Sequence, residues 1–125
     1  MSGDSVVSVV DDDESVRESL VGLLESMRMR VVAFASAEDF LASNMADKTA
    51  CLILDIMLGE MSGIDLQAKL LADGRAPPIV FITATGDERI RQLVLSRGAL
   101  ACFGKPFDDV ALLAAIESAS APRPS

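Results

Sequence analysis

The chain is 125 residues long, half of them hydrophobic, with a formal net charge of -8 and no histidine. That length fits one domain with a full core, and the composition is not that of a disordered segment. The acidic balance argues against a nucleic-acid-gripping surface, which needs a basic stripe.

Short apolar runs alternate with helical patterns from end to end. Val6 to Val10 is a β-branched run stopped by Asp11-Asp12-Asp13. Val16, Leu20, Leu23, Leu24 and Met27 then recur on one face of a helix. Val31-Val32-Ala33 forms a brief second strand, and Ser36, with Asp39 three residues on, caps a second helix carrying Phe40 and Leu41. Cys51 to Leu54 is a third strand, ended by Asp55, and Gly59 and Gly63 bracket the turn after it. Leu66, Leu70 and Leu71 mark a third helix ending near Gly74. Pro77-Pro78 blocks its continuation, so Ile79 to Ile82 starts a fourth strand. After the loop Thr83 to Gly86, Asp87 caps a fourth helix with Ile90, Leu93 and Val94 inward, and Gly98 ends it. Leu100 to Phe103 is a fifth strand, Lys105-Pro106 a turn and Asp108 a cap. Val110, Leu113 and Ile116 line the last helix, and residues 120–125 read as a tail or the start of a linker.

The order is (βα)₅. Continuously apolar strands are buried on both faces, as in a parallel sheet between helix layers, and right-handed crossovers favour an open, doubly wound sheet. No run approaches the roughly 18 apolar residues of a membrane span. The polar opening Met1 to Ser5 is not a signal peptide. Cys51 and Cys102 form no C-x-x-C pair, so zinc is not expected, and both read as reduced core thiols. These features together predict a soluble, cytoplasmic domain.

In open parallel sheets, ligands bind outside the carboxyl ends of the strands. Asp11 and Asp12, Asp55, Thr83 and Lys105 all leave strands at that edge. Three close carboxylates need a cation, and an all-oxygen donor set suits Mg²⁺, with Mn²⁺ as a substitute. A lysine and a hydroxyl beside such a metal suit a phosphoryl group, and a carboxylate can accept it as an acyl phosphate. Each residue alone has a plainer reading: Asp11 to Asp13 as a helix cap, Asp55 and Lys105 as turn residues, Thr83 as a strand end. Their joint order is what turns the reading toward a site.

In these residues the chain resembles a response-regulator receiver domain. The parts are Val10-Asp11-Asp12-Asp13-Glu14, Leu54-Asp55-Ile56-Met57-Leu58 with Met61-Ser62-Gly63, Ile82-Thr83-Ala84, and Lys105-Pro106-Phe107. Their spacings are 43 residues from Asp12 to Asp55, 28 to Thr83 and 22 to Lys105. The wording is most similar to regulators of the nitrogen-fixation type, which usually carry a LuxR-type DNA-binding output domain. The resemblance covers about residues 5–119, within one receiver domain over residues 1–125. It implies a flavodoxin-like fold with strand order 2-1-3-4-5. In that order the strands of the two cysteines flank the fourth, so a disulfide is not expected.

The resemblance also implies roles. Asp55 takes a phosphoryl group from the phosphohistidine of a sensor histidine kinase. Asp12 binds Mg²⁺ directly, Asp11 mainly through water, and Asp55 and the Met57 backbone carbonyl complete the protein ligands. Lys105, whose bond to Pro106 is cis, pairs with the phosphate. Thr83 reports its presence to the surface of the fourth helix, fifth strand and fifth helix, which is also the expected homodimer face. The domain itself contacts neither nucleic acid nor membrane, and is an autocatalytic acceptor that dephosphorylates itself, not a classical enzyme. Met57 and Thr85 stand near the acceptor, where they would tune water access.

Two positions depart from the pattern. The family usually has Tyr or Phe where Cys102 stands, as partner of the threonine switch. Alternation along a strand points Phe103 to the other face, so it is a poor replacement. Gly59 stands where Pro is common. Three other functions were weighed. An aspartyl phosphatase of the haloacid-dehalogenase type needs an Asp two residues after the nucleophile, where Met57 stands. A flavin-binding module needs a Ser/Thr/Gly-rich loop after the first strand, where this loop is acidic. A pseudo-receiver, acting as a phosphorylation-independent interaction domain, is the remaining alternative.

Overall fold

A computed structural model describes residues 6–84 and 86–120. Strands β1 (Val6–Val10), β2 (Val31–Phe34), β3 (Thr49–Asp55), β4 (Ile79–Thr83) and β5 (Ala101–Gly104) alternate with helices α1 (Glu14–Ser26), α2 (Ala37–Ala42), α3 (Gly63–Ala72), α4 (Glu88–Ser96) and α5 (Asp109–Ser120). All strand pairs are parallel, and the order across the sheet is 2-1-3-4-5. This is the flavodoxin-like topology that the resemblance implies, and the open, doubly wound sheet expected from the residue pattern. Its central strands are buried along their whole length, which explains why they carry no polar alternation.

The sheet separates two hydrophobic layers, and residues alternate between them. Leu52, Leu54, Ile79, Phe81 and Cys102 face Phe40 of α2, Leu66 and Leu70 of α3 and Val94 of α4. Val7, Val9, Cys51, Ile53, Val80 and Ile82 face Leu20 and Leu24 of α1 and Leu112 and Ile116 of α5. Phe34 and Phe40 add an edge-to-face ring pair, with centroids 5.4 Å apart, at the outer side of the first layer. Cys51 and Cys102 thus lie on opposite faces of the sheet, a stronger bar to a disulfide than strand separation alone; both are free thiols.

Capping follows local chemistry. Asp13, Ser36, Ser62 and Asp87 each accept a hydrogen bond from a backbone N–H in the first turn of the helix they precede. At α3 this is a full capping box: Ser62 Oγ accepts from the Asp65 N–H, and the Asp65 carboxylate accepts from the Ser62 N–H. Asp108 accepts from the Val110 N–H at the start of α5. The chain leaves α3 through Gly74, whose φ of +67° suits glycine.

Four expected core positions are not core. Met27, Leu71, Leu93 and Val110 are exposed, Val110 by 75%. In α5 the stripe Leu112–Ile116 is buried and Val110 is not. The helix reads Val-Ala-Leu-Leu-Ala-Ala-Ile, apolar around most of its circumference, so periodicity does not fix its phase. A 3₁₀ turn at Ala46–Lys48 also precedes β3 without a clear sequence signal. Thr85 and the termini, including residues 121–125, lie outside the described residues. Among the described residues, no helix is long and apolar enough to cross a membrane.

Burial pushes the Cys51 thiol up to about 12 and also raises that of Cys102. Neither thiol should react with a disulfide reagent at pH 8 on the timescale of minutes, and both should react once denaturant unfolds the chain. Fast native-state labelling of Cys51, read by mass, would contradict this packing.

Candidate functional site

At the carboxyl end of the sheet, Asp11 follows β1 and Asp55 closes β3, in adjacent strands. Lys105 follows β5 and reaches across β4. Its Nζ lies 3.1 Å from Asp11 Oδ2 and 3.1 Å from Asp55 Oδ2. Asp11 is fully buried and Asp55 nearly so, at 4% exposure. Asp12 is exposed, but one of its carboxylate oxygens lies within 4.8 Å of oxygens from both Asp11 and Asp55.

The three successive acids after β1 divide the work. Asp13 caps α1 through bonds from the Ser15 and Val16 N–H groups. Asp11 turns inward: its Oδ1 accepts from the Asp13 N–H at 2.8 Å while Oδ2 meets Lys105. Asp12 is left as the solvent-facing carboxylate of the cluster. The capping reading therefore holds for one of the three residues.

Asp55 is held from both sides. Its Oδ1 accepts from the Met57 N–H at 3.0 Å and its Oδ2 from Lys105. Burial raises its pKa above the ordinary value. The Met57 and Lys105 contacts oppose this, and the neighbouring Asp11 charge adds to it. For Lys105, burial works to lower the pKa, and the bonds to Asp11 and Asp55 outweigh it, so the ammonium stays charged. One lysine balances one of three carboxylates. Unscreened pairs at such separations repel by on the order of 3 kcal/mol each at an effective dielectric of about 20. A hard divalent cation relieves that repulsion, and three carboxylates are the donor set it prefers. The residues present fit a Mg²⁺-like ion.

The other predicted positions fall around this cluster. Thr83 is the buried last residue of β4, and its carbonyl accepts from the Lys105 N–H at 2.7 Å. The Lys105–Pro106 bond is cis, as the resemblance implies. Met57 contributes backbone at the acceptor while its side chain is 61% exposed at the mouth. Cys102 lies in the α4 layer, and Phe103 packs in the α1/α5 layer, so the alternation argument holds and no aromatic from β5 faces α4.

Sequence reasoning missed Gly63, reading it only as a turn residue. A Cβ there would overlap the Asp55 carbonyl oxygen and sit 3.0 Å from its carbon. The Gly63 N–H donates to the Ile56 carbonyl, so the first turn of α3 presses on the end of β3 and leaves no room for a side chain. The Met61-Ser62-Gly63 wording carried this signal: a cap followed at once by glycine.

The profile of the response regulator receiver domain family matches residues 7–117. Nodulation protein W of Bradyrhizobium diazoefficiens is 42% identical over 116 residues, covering 93% of this chain and 51% of that protein. Among solved structures, the response regulator StyR superposes with a TM-score of 0.86 at 43% identity, over 94% of this chain and 59% of that one. FixJ-N superposes with a TM-score of 0.85 at 33% identity, over 99% of both chains. The chain spans about half the length of the curated relatives it matches.

Two outcomes follow from the geometry. Gly63→Ala should destabilise the fold by about 1–3 kcal/mol, the usual cost of forcing atoms into a packed site; an unchanged denaturation midpoint would mean that α3 can retreat from Asp55 freely. A folded-state pKa raised at Asp55 means that ionising it costs stability, fully so above that pKa, and the cost fades as pH falls toward the unfolded value. Without divalent cations, Asp55→Asn should therefore melt above wild type at neutral pH. The gap should close in acid. A variant that melts lower at pH 7 would refute the sign.

Proposed function

The chain belongs to the response regulator receiver domain family, and we propose that this two-component receiver takes a phosphoryl group on Asp55 from a histidine kinase in a Mg²⁺-dependent reaction. The observation that carries this reading is the Asp11–Lys105–Asp55 arrangement with Asp12 beside it. Asp11 and Asp55 share burial, a bond to Lys105 and a backbone N–H donor two residues on; the resemblance of Leu54-Asp55-Ile56-Met57 at the end of β3 to the family's acceptor motif is what points to Asp55.

In the transfer, an Asp55 carboxylate oxygen forms a bond to phosphorus as the bond from phosphorus to the kinase imidazole nitrogen breaks. The imidazole recovers a proton. Catalysis is mainly positioning and charge neutralisation. Lys105 leaves its carboxylate partners to pair with the incoming phosphoryl oxygens. Asp11, Asp12, Asp55 and the Met57 backbone carbonyl hold the ion, whose chemistry is neutralisation of the transferring group. Mn²⁺ serves in its place. Thr83, at the end of β4, provides the hydroxyl that answers the phosphoryl group.

The switched surface is the face of α4, β5 and α5. On α4 and its carboxyl cap, Arg89, Arg91 and Arg97 are exposed; on α5 and its cap, Asp108, Asp109 and Glu117 are exposed. Opposite charges on the two helices flanking an edge strand suit self-association across a two-fold axis. Cys102 in place of an aromatic removes the usual ring-based readout, so the response runs through backbone and through α4 contacts. The domain acts as an acceptor that hydrolyses its own acyl phosphate and is not an enzyme for a free substrate. Phosphatase chemistry of the haloacid-dehalogenase type lacks its acid/base, because Met57 offers no titratable group. No observation favours a phosphorylation-independent interaction domain.

Intact-protein mass after acetyl phosphate or beryllofluoride treatment, with and without Mg²⁺, tests the reading. Wild type should gain one metal-dependent adduct, and Asp55→Asn should gain none. Asp12→Ala should need at least about tenfold more Mg²⁺, since one of few hard ligands is lost. Wild-type labelling in Asp55→Asn, or no adduct in wild type with either reagent, would sink the assignment.

A further inference from the structure

All four polar groups of Asp11 are engaged, each by a different part of the fold. Its N–H donates to the Phe34 carbonyl at the end of β2. Its Oδ1 accepts from the Asp13 N–H and its Oδ2 from Lys105. The fourth group, the backbone carbonyl, accepts from Arg17 Nη1 at 2.6 Å, across six residues of sequence. Arg17 sits in the first turn of α1 and is half-buried. Glu14 and Glu18 line the same groove, yet among the described residues no ion pair joins Arg17 to either. The guanidinium is committed instead to one backbone oxygen at the edge of the acidic cluster.

That oxygen belongs to the peptide unit joining Asp11 to Asp12. The unit is planar, so fixing its carbonyl fixes the direction of the Asp12 N–H and restricts where the Asp12 Cβ can lie. The peptide on its other side is held by the Asp13 N–H bond to Asp11 Oδ1, but Asp12 is exposed and no hydrogen bond to its carboxylate is found among the described residues. It nevertheless lies within the three-carboxylate cluster. We propose that Arg17 is a positioning residue for the acidic pair, holding the Asp11–Asp12 peptide so that the Asp12 carboxylate stays preorganised for a divalent cation. The inference rests on the metal-dependent reading of the site given above.

The sign of the effect separates this role from plain electrostatics. If Arg17 acted only as a nearby positive charge, removing it would tighten binding of a dication. If it positions a ligand, removing it weakens binding, as loss of a group supporting a metal ligand does by about tenfold or more. If it only stabilised the fold, melting would shift and affinity would not.

The experiment is calorimetric titration of Mg²⁺ into the full chain for wild type, Arg17→Ala, Arg17→Lys, Arg17→Gln, Arg17→Met and Asp12→Ala, with melting temperatures measured alongside. Arg17→Ala should bind Mg²⁺ about tenfold more weakly. Arg17→Lys and Arg17→Gln, each of which keeps an N–H donor, should recover part of the loss whether or not they carry charge. Acetyl phosphate labelling of Arg17→Ala should return to the wild-type level at saturating Mg²⁺. Unchanged or tighter Mg²⁺ binding in Arg17→Ala, with Asp12→Ala weakened, would overturn the role of Arg17 and leave the metal site standing. Should Arg17→Ala fail to fold, Arg17→Met, which keeps the apolar stem and lacks the donor, decides: wild-type affinity at a lowered melting temperature assigns Arg17 a structural role only. No Mg²⁺ binding by wild type would overturn the site reading and this inference together.

Discussion

One ammonium group ties the functional edge of the sheet together. Lys105 Nζ bridges Asp11 and Asp55, residues 94 and 50 positions away in sequence. It joins the ends of β1, β3 and β5 where, among the described residues, the two buried carboxylates lie. Removing Lys105 would leave two buried carboxylates uncompensated, which is strongly destabilising, while the intact set adds little net stability. The arrangement therefore makes sense as chemistry more than as glue. A carboxylate whose pKa burial raises, and a lysine kept charged by two acids, form a pocket that stays acidic overall.

The rest of the fold is organised to keep that pocket in register. Parallel pairing sets Leu54 opposite Val10 and Asp55 opposite Ile82, so the polar residues emerge at one level from strands whose interiors are apolar but for Ser8, whose hydroxyl bonds that of Thr49. Helix caps do related work. Asp13 starts α1 immediately after the acid pair, and Ser62 with Gly63 starts α3 against the acceptor strand. Both sides of the site are thus bounded by helix N-termini whose sequences permit only a short approach. The small residue at 63 and the acid at 13 are parts of the site's geometry without being part of its chemistry.

The topology was legible because buried parallel strands are short apolar runs, and each ends in a polar residue that packing rejects. Asp11, Asp12, Asp55, Thr83 and Lys105 could be placed at one edge from that rule alone, and the resemblance supplied their roles. Helix phase was less legible where apolar residues exceed one face. In α5 the buried stripe is Leu112–Ile116, and Val110 faces water. Met27 and Leu71 sit in or just beyond the last turn of their helices, where the chain already leaves the sheet. Two features had only faint signals. Gly63 looked like any turn glycine until the carbonyl of Asp55 was placed beside it. The reach of Arg17 back to Asp11 is a tertiary contact for which helical periodicity has no term.

The loss of the aromatic from β5 shifts attention to the remaining ties between the pocket and α4. Helix α4 buries only Val94, near its carboxyl end, and the Val94 carbonyl accepts from the Gln67 side-chain amide of α3 at 3.2 Å. Gln67 is itself buried, and its carbonyl oxygen has no partner. A helix with one fully buried side chain, and Ile90 only partly packed against the same layer near its start, is more easily tilted than one seated along its length. At its other end lies the loop from Thr83, whose carbonyl accepts from the Lys105 N–H. The same residue that senses the acceptor carboxylate through its side chain therefore holds the start of the path to α4 through its backbone. On the proposed function, a change of partner at Lys105 Nζ acts on that loop directly, and a ring between β5 and α4 is not required to carry it.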